Sequence, residues 1–556
     1  MKDITSKLKD NENWYNYNKF VSTRKWNKGR ASICLCDISP SGYKPFYFGI
    51  NIIDKILNNS EFNCGRAVYE TNEQSQEWYT KKAISSFDAI GVGVYMCFQL
   101  FALPKFLLSN KIQPLNKHRT DTDPLIIIGG QTFHMIHAYD KFVDIACVGE
   151  GEEWILEIMA IIEKYKRNRK KILEGAATIE GAYVPLIHGY SDNEFTIKKR
   201  IIKEENLHNS LLDESCIASK TQRKVIEIAR GCKYNCAFCA LAKRMYPFRQ
   251  NDKEKIKDCI RTFNEGAQIY PFAPDESSYK HNEEIANYAK FCGMRYYTYN
   301  HRLNSITSKS IRNKDLSERI VFGIDGISQK VIDITNKGIR LERMINEVAP
   351  EVYENNYRTL KLNYVFNYYF EKDEDYKELE WFWNELLEIR RKSGQKDKER
   401  TMIHIAPTPF VPDWFIPLQY IKIRKEIDKR FVETYQKVRS RWRDGHDNTS
   451  YMKMEGLQNY ENWKMNLILV RYEKAADFIY FCFKNGFTRS NFEPKLTKLW
   501  NEYCKINKIE ENKLFDEIPR NKSYVWDKID WSGGLLKNFK ELPRKQVERI
   551  IENAGK

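Results

Sequence analysis

Two successive series of short apolar runs, each run followed by a helical stretch, constrain the fold of this chain more than any other feature. In the first series, the runs at 31–38, 87–96 and 124–131 are typical of strands, and amphipathic stretches follow them. Strands that alternate with helices favour a parallel sheet with helices on both faces. The first series therefore predicts an α/β domain with a doubly wound parallel sheet, whose ligands bind beyond the carboxyl ends of the strands.

The second series begins at Lys224 and also alternates strands with helices. Its apolar runs are 224–230, 269–274, 295–300, 319–326, 359–369 and 401–410. These six strand-helix units are too few for a closed barrel of eight strands, and they predict an open, partial (β/α)6 barrel.

Changes in composition along the chain predict five segments. They are a polar arm at 1–25, the doubly wound, Rossmann-like domain at 26–188, a charged linker at 189–223, the partial barrel at 224–420, and a basic, mostly helical carboxyl-terminal domain at 421–556.

The sequence favours a protein of the cytoplasm with reduced thiols. The first residues have no apolar core of the kind found in a signal peptide. The longest uncharged run, from Ala89 to Pro104, is shorter than the ~20 apolar residues of a membrane helix, and we interpret it as a buried strand that leads into a helix. Thirteen cysteines in such a chain favour reduced thiols over disulfides, with metal binding or catalysis as the exception.

Three of these cysteines, Cys232, Cys236 and Cys239, follow the first strand of the second series at Cys-x3-Cys-x2-Cys spacing. A [4Fe–4S] cluster normally takes four Cys thiolates, so three would leave one iron open to another ligand. Zinc is the alternative, but a zinc site needs further Cys or His ligands. His208, His281 and His301 are isolated in the sequence.

The cysteine spacing, with the aromatic Phe238 before the last cysteine, resembles the radical S-adenosylmethionine superfamily. The resemblance implies that the amino and carboxylate groups of S-adenosylmethionine bind the open iron of a [4Fe–4S] cluster. It also implies a 5'-deoxyadenosyl radical as product of the cleavage, and an electron donor such as flavodoxin or ferredoxin. The backbone of Phe238 would contact the adenine.

Other cofactor-binding positions come from weaker resemblances further along the barrel. Asp275 and Glu276 end the second strand, Arg302 belongs to the third-strand segment, and Asp325 lies in a Gly-rich signature at 322–339 that contains Asn-Lys-Gly. The segment 405–419 resembles the Pro-rich ending of the sixth strand. The alternatives are that Asp275 and Glu276 cap a helix, that Arg302 is a surface cation, and that Asp325 only stabilises a turn.

The segment 124–159 resembles the cobalamin-binding-type domain that precedes the barrel in a subgroup of the superfamily. The resemblance implies that two Gly-rich turns line the ligand end of the sheet, and it adds cobalamin to the expected cofactors. The residues of these turns are Gly129, Gly130, Gly149, Glu150 and Gly151. The subgroup's Asp-x-His-x-x-Gly pattern for cobalt ligation is absent, because the turn from Asp37 to Gly42 has no His.

Two other ligand sets are conceivable in the first domain. His134 and His137 could be ligands, although a solvated or helix-capping role is the simpler interpretation. Cys36, Cys64 and Cys97 could hold a second cluster, as in the methylthiotransferases of the superfamily, with buried thiols as the alternative.

The resemblance predicts an enzyme that transfers a methyl group to an unactivated carbon if cobalamin binds. Without cobalamin, a rearrangement, ring formation or sulfur insertion is the alternative. The net charge of +16 favours an anionic substrate, a nucleic acid or nucleotide, with a peptide or small metabolite as the other possibilities. The basic segment 439–447, with Trp442, is a candidate contact, and a nucleic-acid-binding protein with a structural cluster is the non-enzymatic alternative.

Overall fold

The chain divides into two compact units, each built from discontinuous parts of the sequence. In this computed structural model the described residues are 26–38, 48–69, 74–78, 80–214, 223–297, 300–312, 318–393, 401–442, 451–457, 460–487 and 494–555. The amino-terminal unit comprises Met1–Gln222, Lys464–Leu514 and Asn521–Phe539, and the barrel unit comprises Arg223–Trp463, Phe515–Arg520 and Lys540–Lys556. The predicted arm at 1–25 lies outside the described residues.

The amino-terminal unit is built on a sheet of six strands. They are β1 (Ser32–Asp37), β2 (Asn63–Val68), β3 (Ala89–Gly93), β4 (Leu125–Gly129), β5 (Ile145–Cys147) and β6 (Ala182–Tyr183). The spatial order is β2-β1-β3-β4-β5-β6, and all pairs are parallel except β5 with β6. The prediction of a doubly wound parallel sheet is confirmed, and the reversal of strand order places its switch point between β1 and β3.

Helices cover this sheet with their apolar faces. Those from the first part of the chain are Phe48–Asn58, Leu103–Ser109, Ile136–Tyr139, Trp154–Lys164, Arg169–Ala176 and Pro185–His188. One face of the sheet packs Ile33 and Ile127 against Trp154 and Ile158, all at most 4% exposed. The uncharged run from Ala89 to Pro104 is a strand that leads into a helix, as predicted.

The barrel unit carries two parallel sheets that follow one another along the chain. The strands are β8 (Arg223–Glu227), β9 (Ala229–Arg230), β10 (Arg249–Gln250), β11 (Gln268–Phe272), β12 (Arg295–Tyr296), β13 (Asn300–His301), β14 (Arg319–Gly323), β15 (Thr359–Phe366), β16 (Met402–Pro409) and β17 (Met452–Met454). The first sheet has the order β12-β11-β8 and the second the order β13-β14-β15-β16-β17, and a short antiparallel pair, β9 with β10, flanks the cysteine loop. The partial barrel is confirmed, and β17 is an addition from the segment beyond 420.

The helices of the barrel unit mostly alternate with its strands along the chain. They are Leu241–Arg244, Lys253–Arg261, Asn282–Phe291, Ser308–Arg312, Gln329–Ile334, Leu341–Arg343, Ala349–Glu354, Asp373–Lys392, Arg430–Arg441 and Glu541–Gly555, with a π-helical turn at Met344–Val348. Trp383 of the helix Asp373–Lys392 donates its indole N–H to the hydroxyl of Tyr364 in β15 at 2.9 Å. Every second residue of β15 is therefore buried against helices, and the residues between point to the inner face of the sheet.

The segments 189–223 and 421–556 have more structure than the sequence suggested. The predicted linker contains β7 (Ile197–Lys198), which pairs with β18 (Ile529–Asp530). The carboxyl-terminal segment is shared between the units rather than gathered into one domain. The helix Tyr460–Arg471 crosses the boundary, and Ala475–Lys484 and Pro494–Asn507 belong to the amino-terminal unit. Within the described residues, no helix is long and apolar enough to cross a membrane.

Candidate cofactor sites

The cysteine loop leaves the barrel sheet at β9 and returns at β10. Gly231 begins the loop with a φ of +84°, and a Cβ there would lie 2.6 Å from the Met245 carbonyl oxygen. Glycine is therefore required for this close approach. Arg230 forms a buried, bidentate ion pair with Glu227, with distances of 3.0 and 2.7 Å, and so fixes the entry to the loop. This ion pair was missed from the sequence.

The three thiols of the loop influence one another electrostatically. Burial raises the pKa of Cys232 and raises that of Cys239 to about 11, and the neighbouring Cys236 adds to both increases. Binding of iron needs thiolates, so loading this site must release protons. Within the described parts of the chain, no three His, Cys, Asp or Glu side chains converge closely enough to hold one metal ion. A cluster makes no such demand, because each cysteine binds a different iron.

Arg302 lies beside the cysteine loop and is only 7% exposed. Its Nη1 donates to the Sγ of Cys236 at 3.4 Å, and its guanidinium stacks on the ring of Tyr234, 3.8 Å from the centroid. Its Nε donates to Asn304 at 2.9 Å. The alternative of a surface cation is therefore wrong: this is a fixed, buried positive charge next to a predicted cluster ligand.

Asp275 and Glu276 are buried and hold the third-strand segment in place. Asp275 accepts hydrogen bonds from the backbone N–H of Arg302 at 3.3 Å and from the Ser305 hydroxyl at 3.0 Å. Glu276 accepts the backbone N–H of Asn300 at 3.0 Å. Asp275 thus helps to position Arg302, and Glu276 holds the start of the same segment, so the alternative that they only cap a helix is wrong.

Asp325 forms an ion pair with Lys337, which comes from the Asn-Lys-Gly part of the predicted signature. Asp325 has a φ of +53°, and its N–H donates to the carbonyl of Asn363 in β15 at 3.1 Å. The Nζ of Lys337 lies 5.8 Å from the ring centroid of Phe238. Burial is the largest single influence on the pKa of Lys337 and acts to lower it, but Asp325 and Cys236 together outweigh burial, so the pKa is raised and the lysine stays protonated. The resemblance at 322–339 did not assign a role to Lys337.

In the amino-terminal unit, the carboxyl ends of three strands meet at one level. The parallel register aligns Asp37 of β1 with Gly93 of β3, and Gly93 with Gly129 of β4. A Cβ on Gly93 or Gly129 would make only ordinary contacts, the nearest at 3.6 and 3.7 Å. A Cβ on Gly151 would lie against Cys147, which is also the neighbour of Gly129. We call Gly93, Gly129 and Gly151 the glycine notch. The side chains of Ile50 and Tyr95 border this notch beside Gly93, and those of Ile53 and Cys147 border it beside Gly151.

The remaining predicted turn residues serve backbone packing. Gly130 lies against the carbonyl of Val94, and Gly149 lies against the backbone of Arg200, where no side chain would fit. Glu150 accepts the N–H of Ile202 at 2.7 Å. The turn from Asp37 to Gly42 lies largely outside the described residues, which resume at Phe48.

Among the residues that the structure describes, no three side chains of the alternative ligand sets converge on one metal position. His134 and His137 are buried, at 2% and 1% exposure, so the expectation of solvated histidines is wrong. His137 Nε2 lies 2.7 Å from the carbonyl oxygen of Leu469, and burial lowers the pKa of His137 to about 3.

The second-cluster hypothesis is also wrong. Cys64 aligns with Ile33 across β1 and β2, so its side chain and that of Cys36 point to opposite faces of the sheet. Cys97 donates to Asn466 at 3.1 Å instead.

The predicted carboxyl-terminal contact is only partly described. Trp442 donates its indole N–H to Asn384 at 2.9 Å, and Arg441 pairs with Glu380. These side chains are therefore engaged with the helix Asp373–Lys392, and 443–447 lie outside the described residues.

Comparisons with known proteins agree with this architecture. Residues 46–185 match the family described as radical SAM proteins, N-terminal. The chain is 21% identical over 337 residues to the uncharacterized protein MJ0966 of Methanocaldococcus jannaschii, covering 59% of this chain and 67% of that protein. The solved structure of the cobalamin-dependent S-adenosylmethionine radical enzyme OxsB with aqua-cobalamin bound is similar, with a TM-score of 0.51 and 12% identity, over 94% of this chain and 80% of that chain.

The family match covers residues 46–185, and the three-cysteine loop lies beyond it, at the position where the sequence resemblance to radical S-adenosylmethionine enzymes predicts the cluster. The fold of the chain is similar to that of OxsB.

Proposed function

We propose that the protein is a cobalamin-dependent radical SAM methyltransferase that acts on an unactivated carbon. The observation that carries the radical SAM part is the cysteine loop with the buried Arg302 donating to Cys236. The glycine notch supports the cobalamin part, because Gly93 and Gly129 leave room at the switch point where such sheets take their ligand.

The residues of the cysteine loop would hold the cluster. Cys232, Cys236 and Cys239 would supply the three thiolates, and the open iron would take S-adenosylmethionine. When bound, the cluster supplies the electron that cleaves the sulfonium, and cobalamin supplies the methyl group. A reductant such as flavodoxin or ferredoxin would deliver that electron.

The residues around the cysteine loop would balance the charge of the thiolates and hold the neighbouring side chains in position. Arg302 offsets the negative charge of the thiolates, and Asp275 holds the backbone of Arg302 so that this cation stays in place. Lys337 and Asp325 form a neutral pair beside Phe238, whose backbone would contact the adenine. The acids and cations near the loop are thus largely paired within the protein.

The test of the radical SAM function is product formation under anaerobic conditions. Reconstituted protein with dithionite and S-adenosylmethionine should yield 5'-deoxyadenosine or S-adenosylhomocysteine, measured by liquid chromatography. Neither product, from protein whose cluster is intact by iron and sulfide analysis, would refute the proposal.

Cobalamin binding has a separate test. Protein mixed with hydroxocobalamin and filtered should retain the colour, and Gly129→Val should reduce retention because a larger side chain fills the glycine notch. Thermal melting of the variant shows whether the fold survives. A colourless retentate from the unaltered protein would favour the cobalamin-independent alternative.

A further inference from the structure

The turn that follows the helix Gln329–Ile334 contacts the cysteine loop. It comprises residues 335–338, which lie within the signature predicted at 322–339. Asn336 and Gly338 in this turn have φ values of +53° and +65°. Gly and Asn adopt this left-handed conformation more readily than other residues, so the helix can end here and the chain can turn toward the loop.

The first contact of the turn is made by the carbonyl oxygen of Thr335. The last carbonyl groups of a helix have no partner within the helix. That of Thr335, which directly follows the helix, accepts the N–H of Ala237 at 2.8 Å. The two residues are 0% and 2% exposed, so water does not compete for this hydrogen bond. Because Ala237 lies between Cys236 and Cys239, the bond fixes the backbone of the loop between two of its thiols.

The second contact is made by the side chain of Asn336. Its Nδ2 donates to the carbonyl oxygen of Asn235 at 3.0 Å, in a hydrogen bond that is exposed to solvent. Asn235 directly precedes Cys236, and Ala237 directly follows it. The two contacts of the turn therefore hold the peptide groups on both sides of Cys236.

The same turn also holds the residue that orients Arg302. The carbonyl oxygen of Gly338 accepts the side-chain amide of Asn304 at 3.0 Å. The Oδ1 of Asn304 in turn accepts the Nε–H of Arg302 at 2.9 Å. The positions of the guanidinium and of the Cys236 thiol that it contacts are thus both set by the 335–338 turn.

A further segment holds the loop from the sixth strand. The N–H of Leu418 donates to the carbonyl oxygen of Ala237 in a longer hydrogen bond of 3.4 Å. Arg244, in the helix that follows the loop, pairs with Asp413 at 2.9 Å. Leu418 and Asp413 belong to the segment 405–419, so both segments that the sequence resemblance singled out after the third strand contact the loop or the helix that follows it.

We propose that Asn336 is a positioning residue of the cysteine loop, which it holds, with Thr335, in the shape that presents Cys236 to a cluster. Ordering an irregular loop costs conformational entropy, and contacts within the protein offset that cost before the cluster binds. That the loop takes a cluster rests on the proposed function; the hold of Asn336 on the loop does not.

Amide hydrogen exchange in the full-length protein without its cluster tests this hold. The Ala237 amide should exchange slowly in the unaltered protein, because it is buried and donates to Thr335. Asn336→Gly removes the side-chain donor but keeps a residue that adopts a positive φ, so the turn itself should persist. The Ala237 amide should then exchange roughly fivefold faster, as expected for the loss of one hydrogen bond. Mass spectrometry of peptides that span residues 234–240 measures the rate.

Asn356→Gly is the matched control. Asn356 has a φ of +52° and lies just beyond the helix Ala349–Glu354 of the same unit, so the same substitution is made in the same backbone conformation. It should leave the exchange of Ala237 unchanged. Asn336→Asp keeps the size of the side chain but has no N–H donor, so it should accelerate exchange at least as much as Asn336→Gly. Thermal melting shows that each variant keeps its fold.

Anaerobic reconstitution of the same variants gives a readout that a merely structural role would not change. Asn336→Gly should hold less iron and sulfide per chain than the unaltered protein, and the electron paramagnetic resonance signal of its reduced cluster should broaden. Asn356→Gly should show neither change.

The proposal requires both faster exchange and an altered cluster in Asn336→Gly, and the absence of either overturns it. Rapid exchange of the Ala237 amide in the unaltered protein, at the rate of an unstructured peptide, would also overturn it. If the unaltered protein takes no cluster, the proposed function fails, whereas the exchange rates still decide whether Asn336 holds the loop.

Discussion

The chain contains two groups of three cysteines whose surroundings differ sharply. Cys232, Cys236 and Cys239 follow a strand end and lie beside the cation of Arg302. Cys34 and Cys36 are fully buried in β1 with 4.0 Å between their Sγ atoms, and Cys64 points to the other face of the same sheet. Within each group the cysteines are close in sequence or in space, so closeness of thiols alone does not make a metal site. A position beyond the end of a strand, with a fixed cation, distinguishes the first group.

The largest expected difference between the groups is in iron binding. Cys236→Ala should abolish the brown cluster absorbance and the bound iron, because it removes the buried thiolate that Arg302 contacts. Iron analysis and visible spectroscopy after anaerobic reconstitution provide the measurement.

Cys36→Ala is the matched control for that loss. It should keep the full iron content and cost about 1–2 kcal/mol of stability from the lost packing of a buried side chain. A full cluster in Cys236→Ala, or loss of the cluster in Cys36→Ala, would contradict the assignment of cluster binding to Cys232, Cys236 and Cys239.

Thiol alkylation should separate the groups in protein without a cluster. Cys232 and Cys239 are partly exposed and should react with iodoacetamide under native conditions, whereas Cys34 and Cys64 should stay protected until unfolding. Because the pKa of Cys239 is raised to about 11, its rate should increase about tenfold per pH unit up to that value as the thiolate forms. Mass spectrometry of timed digests gives the rates. Equal rates for Cys64 and Cys232 would show that burial does not distinguish the groups.

Arg302 should influence the reduction potential of the cluster but should not be required for cluster binding. Arg302→Met removes a positive charge beside Cys236, so the reduced, more negative cluster loses stabilisation and the reduction potential should fall. A charged hydrogen bond worth roughly 1.4 kcal/mol corresponds to about 60 mV for one electron. Redox titration followed by electron paramagnetic resonance measures the shift. Arg261→Met, an exposed cation paired with Asp258, should leave the potential unchanged; an equal fall in both variants would assign the effect to overall charge.

Much of the fold and the cysteine loop could be predicted because the signals are local. Apolar runs that alternate with helical stretches define parallel sheets, and the cysteine spacing is contiguous. The pairs that support the loop, Lys337 with Asp325 and Asp275 with the backbone of Arg302, join residues on different strands, and no periodicity in the sequence reports them. Glu227 and Arg230 are close in the sequence, but charged residues are common at the ends of strands, so the pattern did not indicate an ion pair.

Charged side chains on neighbouring strands of the barrel unit show the same limit more clearly. Lys361, His404 and Lys453 are far apart in the sequence, and only the parallel register of β15, β16 and β17 brings them side by side. β17 was not predicted within the segment 421–556, because a strand of three residues is too short to show an alternating pattern in the sequence.

The smallest expected effect belongs to Cys64, and it is the most exacting test of the comparison. Its Sγ lies 3.4 Å from Asp54, and a serine hydroxyl can donate to the same carboxylate. Cys64→Ser should therefore leave iron content and cluster potential unchanged and shift the melting midpoint by less than about 3 °C. If this conservative change removed iron, Cys64 would have to act through a metal after all, and position beyond a strand end would no longer distinguish the two groups of thiols.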